Sequence, residues 1–97
     1  MAVTFDRDDE AYQAWIMSNP DGLVLNTRRN LPPAYMVLHS SNCSSVRNYN
    51  EMAQPGGFTE RSYIKICSTE IEDLREWVQK HGRLDGSFSK ECSHCMK

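Results

Sequence analysis

Four cysteines and three histidines carry most of the latent chemistry of this chain. Cys92 and Cys95 stand two residues apart, a spacing that lets both thiolates reach adjacent corners of one tetrahedral zinc ion from a tight turn. Cys43 and Cys67 each fall at or just past the end of an expected strand, where a side chain can leave a sheet and meet a partner. Four sulfurs, from Cys43, Cys67, Cys92 and Cys95, would close a structural zinc site and leave no coordination position for a substrate. His39 lies four residues before Cys43, and an imidazole could take the place of Cys67. The four-cysteine set is the favoured one. The set with His39 stays open, and it would leave Cys67 as a small buried hydrophobe. Thioredoxin-type redox chemistry is not expected, because that chemistry needs the Cys-x-x-Cys pair at a helix N-terminus and only Met96 and Lys97 follow Cys95. His81 suits the negative end of a helix, and His94 falls inside the knuckle; neither needs a function.

A second group of residues could meet phosphate. The first 27 residues set Asp6, Asp8, Asp9, Glu10 and Asp21 against Arg7 alone. Between 28 and 65 the balance reverses, with Arg28, Arg29, Arg47, Arg61 and Lys65 against Glu51 and Glu60. Arginine forks suit phosphate oxygens, and the nearby Tyr49, Phe58 and Tyr63 could stack on exposed bases, although Tyr63 is expected in the core. The formal net charge is -2, so the chain as a whole does not announce a polyanion partner. Two classes of function remain: a zinc-stabilised module that binds DNA or RNA, and a zinc-stabilised protein-interaction or adaptor module. Enzymatic activity is not expected. There is no glycine-rich phosphate loop, no nucleophile elbow and no HExxH helix.

These side chains must be held by a small frame. At 97 residues the chain fits one domain, spanning 1–97, with a thin core that a metal staple would help to stabilise. Residues 7–18 read as an amphipathic helix capped by Asp6, with Tyr12, Trp15 and Ile16 on its buried face. Asn19 to Gly22 form a turn. Leu23 to Leu25 make a short strand, Pro32 and Pro33 interrupt the next stretch, and Tyr35 to Leu38 make a second strand. Residues 44–57 read as a long polar loop, and Tyr63 to Cys67 as a third strand. Ser68 and Thr69 cap a second helix, with Thr69 and Glu72 spaced as a capping box. Ile71, Leu74, Trp77 and Val78 form its buried stripe, and Gly82 its end. The expected fold is α+β: a small three-stranded antiparallel sheet, two helices and a C-terminal zinc knuckle.

The run Tyr35-Met-Val-Leu-His39, then Cys43, then Cys92-x-x-Cys95 resembles small bacterial zinc modules found alone or attached to nucleases. The phrases Asn19-Pro-Asp-Gly-Leu-Val-Leu-Asn26, Tyr63-Ile-Lys-Ile-Cys67 and Gly86-Ser-Phe-Ser-Lys-Glu-Cys92 are similar to those of an uncharacterised bacterial family over most of the chain. The ligand spacing also distantly resembles the metal-binding domain of the Ada DNA-repair protein. There the first cysteine of a CxxxC accepts a methyl group; the matching position here is His39, so alkyl transfer is not carried over. The acidic start lacks the basic and apolar segments of a secretory signal, and no apolar run is long enough to cross a bilayer. A cytoplasmic location with no membrane partner is therefore expected, and reducing conditions there favour metal binding over disulfides.

Overall fold

A computed structural model describes residues 2–41 and 63–91. Along the chain they form β1 (Val3–Phe5), α1 (Asp9–Ser18), β2 (Leu23–Arg28), β3 (Met36–Ser40), β4 (Tyr63–Ser68), α2 (Ile71–Lys80) and β5 (Lys90–Glu91). The strands make one sheet in the order β1-β4-β2-β3-β5. The fold is mixed α+β, as the sequence implies, but the sheet has five strands where three were expected. It is also not wholly antiparallel, because β5 runs parallel to β3. The zinc knuckle, with Cys92 and Cys95, lies outside the described residues, as do Cys43, Arg47, Arg61 and the polar loop at 44–57. No helix among the described residues is long and apolar enough to cross a membrane.

Alternation along β2 and β4 divides the core between the two faces of the sheet. Leu25, Met36, Leu38, Ile64 and Ile66 point to one face and pack with Leu74 and Val78 of α2. Val24 and Cys67 point to the other, where Tyr12 and Ile16 of α1 cover them. The expected stripes of both helices are the buried ones, although Trp15 and Trp77 are only half-buried.

The helix caps differ from expectation. Asp8, not Asp6, begins α1: its carboxylate accepts from the Ala11 N–H at 3.0 Å. Asp6 instead pairs with Arg29. At the start of α2 the N-cap is Glu70, with no side-chain capping bond, in place of the expected Ser68 and Thr69, and Ser68 instead braces the entry to the helix. Its hydroxyl accepts from the Glu70 N–H at 3.0 Å and donates to the Asp73 carboxylate at 2.7 Å.

After α2 the chain turns at Gly82, whose φ of +115° is a left-handed value that favours glycine. Residues 83–91 then bind back along the sheet. Arg83 donates to the Pro33 carbonyl at 2.7 Å. The Ser89 hydroxyl accepts from the Met36 N–H at 2.7 Å, and the Ser89 N–H donates to the Met36 carbonyl at 2.9 Å. Lys90 and Glu91 continue this path beside Val37 and Leu38.

Candidate functional site

On the α1 side of the sheet, Val3, Cys67, Val24 and His39 form one row across β1, β4, β2 and β3. The next row is Phe5, Lys65, Asn26 and Val37. Beyond it, Arg28 stands opposite Tyr63. Helix α1 packs on Val24 and Cys67 at the first-row end. The face therefore grades from apolar packing under α1 to a cationic and aromatic group at the far ends of β2 and β4.

At that far end the Arg28 guanidinium lies over two rings, 5.4 Å from the centroid of Tyr35 and 5.8 Å from that of Tyr63. The two rings are 5.9 Å apart and tilted by 48°. Arg28 is exposed and both tyrosines are half-buried. Tyr63 is thus not the core residue expected of it, because α1 does not extend over its end of β4. Tyr35 is held from two sides: Asn26 donates to its hydroxyl at 3.4 Å, and the Thr27 hydroxyl donates to its carbonyl at 2.7 Å. Burial raises the Tyr35 pKa, with Tyr63 acting in the same direction, so the Tyr35 phenol stays neutral at ordinary pH. Sequence reasoning missed Tyr35 as a partner of Arg28; the β2–β3 pairing, which sets Thr27 against Met36, leads one residue on to Arg28 and Tyr35.

The other two expected phosphate contacts that are described, Arg29 and Lys65, are less available. Arg29 is paired with Asp6. Lys65 is buried, with its ammonium 5.9 Å from the Tyr12 ring centroid and 5.6 Å from that of Tyr63. Burial pushes its pKa down to about 8, while the buried Asp9 carboxylate pulls the other way.

The two alternative zinc ligands sit in contrasting places. Cys67 is fully enclosed by Tyr12, Ile16 and Val24, and that burial raises its thiol pKa well above the ordinary value. His39 is near the end of β3 and buried. Its burial, reinforced by the Lys65 charge, lowers its pKa to about 4, so the ring is neutral at physiological pH. Its Nδ1 meets no hydrogen-bond partner among the described residues. A neutral imidazole with a ring nitrogen to spare is the form that binds zinc. Among the described residues no three metal-ligating side chains converge, and the remaining candidates, Cys43, Cys92 and Cys95, fall outside them.

No protein-family model, no curated protein and no solved structure matches this chain. The family resemblance rests on the residues quoted for it.

Proposed function

We propose that this protein is a small zinc-stabilised module that binds nucleic acid. The observation that carries this reading is the exposed Arg28 guanidinium lying over Tyr35 and Tyr63 at the open end of the sheet face. A cation beside ring faces suits a polymer of phosphates and bases, and the locally basic segment from 28 to 65 supports it through Arg47 and Arg61. Of the expected contacts that are described, Arg28 leads, since Arg29 is engaged by Asp6 and Lys65 is buried.

For the metal, we propose His39, Cys43, Cys92 and Cys95 as ligands, with Cys67 a packing residue. Two features support this choice. The Cys67 thiol is enclosed beneath α1, whereas His39 is neutral and keeps Nδ1 free of any described partner. In addition, the parallel register pairs Val37 with Lys90 and Leu38 with Glu91. The described tail thus ends beside Leu38, the residue before His39, while Cys67 lies two strands beyond β3. A structural zinc there would tie the end of β3 to the tail.

The test is a titration of the zinc-loaded full chain against labelled oligonucleotides at low and physiological salt. Binding that weakens steeply with salt is expected, because each neutralised phosphate releases counterions. No binding to single- or double-stranded DNA or RNA at low salt would end the nucleic-acid reading and favour a protein-interaction module.

A further inference from the structure

We infer that the Arg28, Tyr35 and Tyr63 cluster is a seat for an unpaired base, so that the protein selects single-stranded over double-stranded nucleic acid. This deepens the nucleic-acid reading and rests on it.

The argument begins with shape. Tyr35 and Tyr63 lie side by side on a sheet face, 5.9 Å between centroids, and present ring area from a rigid support. Tyr35 is fixed by the hydrogen bonds from Asn26 and Thr27. Tyr63 begins β4 and is set by its pairing across to Arg28. A platform of fixed rings is useful only to a ligand that offers a free π-face. In a duplex the bases are stacked on one another and offer edges and phosphates instead; in a single strand they can turn out and lie on a ring.

Charge selects the same ligand. In the free protein, Arg28 rests on the two rings at the distances given above. It is exposed, and an exposed cation–π contact is weaker than base-on-ring stacking. An incoming base can therefore take the ring face while the guanidinium moves to the adjoining phosphate, where a two-pronged hydrogen bond replaces the contact it leaves. Both halves of a nucleotide are then met by neighbouring side chains. A neutral aromatic ligand would lose the phosphate contact, and an acidic peptide would leave the rings unused.

The experiment compares fluorescence anisotropy of an unstructured single-stranded oligonucleotide with that of a duplex of equal length, using zinc-loaded full chain at low salt. The single strand should bind at least about tenfold tighter. Tyr63→Leu should weaken single-strand binding by about tenfold or more, the loss typical of a removed stacking ring, while Tyr63→Phe stays within about twofold of the parent. Arg28→Ala, at an exposed position where melting should not change, should weaken binding and lower the slope of log Kd against log salt by about 0.7, one phosphate contact. Equal affinity for the two forms, preference for the duplex, or an unchanged affinity in Arg28→Ala would overturn the inference and leave the broader reading standing. Absence of binding to either form by the parent protein would overturn both.

Discussion

Cys67 and His39 stand on the same face of the sheet, each paired with Val24 from opposite sides. Two strand spacings, about 10 Å, separate their backbones, and the Val24 side chain lies between them. Cys67 is packed against Tyr12 and Ile16 of α1, whereas His39 keeps Nδ1 without a partner among the described residues, so zinc content should respond differently to their loss. His39→Ala should lose most of the bound zinc. Cys67→Val should keep it, with a stability change below about 1.5 kcal/mol for a near-volume-conserving swap. Elemental analysis with parallel thermal melts checks both; zinc retained in His39→Ala and lost from Cys67→Val would restore the four-cysteine set.

Removing the metal itself should matter. Zinc-binding free energy at a small structural site becomes folding free energy, so chelator-treated protein should melt well below the loaded form and regain its melting temperature when zinc is restored. Identical melting curves would sink the structural role of the ion.

Leu74 is fully buried between α2 and the sheet, among Leu25, Ile66 and Val78. Leu74→Ala should cost about 2–5 kcal/mol in urea unfolding. That is a large share of the roughly 5–15 kcal/mol typical of a folded domain, so the variant should be close to unfolding at 37 °C.

Ser68 stands two residues before the N-cap Glu70, ties the entry of α2 to Asp73, and is nearly inaccessible to solvent. Ser68→Ala removes the acceptor of the Glu70 N–H and the donor to Asp73, and should destabilise by about 0.5–1.5 kcal/mol, the worth of a typical hydrogen bond. Thr69→Ala, at an exposed residue, should fall within about 0.5 kcal/mol of the parent. The reverse order in chemical denaturation would restore the capping box read from the sequence.

At Gly82 a Cβ would come within 2.6 Å of the Pro33 ring, on a backbone with φ of +115°. Gly82→Ala should therefore destabilise by more than the roughly 1 kcal/mol set by backbone conformation alone. A thermal melt would show it. Zinc content, measured on the same sample, tests whether the turn also directs the following tail along β3.

The helices were legible because their signal is local. Ile71, Leu74, Trp77 and Val78 repeat at helical spacing whatever lies around them, and Tyr12 and Ile16 do the same. The edge strands were not. Val3–Phe5 is three residues long, and Lys90–Glu91 carries two charges in place of an apolar alternation; each is a strand only because a distant backbone pairs with it. The cap at Asp8 was hidden by its acidic neighbours, which give the same signal. Lys65 and Tyr63 exchanged their expected places for one reason. They share a face with Cys67, and α1 covers that face at the Cys67 end while leaving the Tyr63 end open. Nothing in the sequence of β4 states how far a helix from elsewhere will reach along it.

The sheet order carries a consequence for synthesis. β2 and β3 adjoin in sequence and can pair as soon as residue 40 has emerged from the ribosome, but β2 must then wait for β4 to cover its other side, and β1 has no partner until Val3 can meet Cys67. On the ribosome, the β2–β3 hairpin therefore stands for a time with both edges unpaired, a template for neighbouring chains. A pause that holds residues 41–63 inside the ribosome after β3 has emerged would lengthen that interval. Yield of soluble protein should thus be more sensitive to such pauses than to ones that come before β2 has emerged.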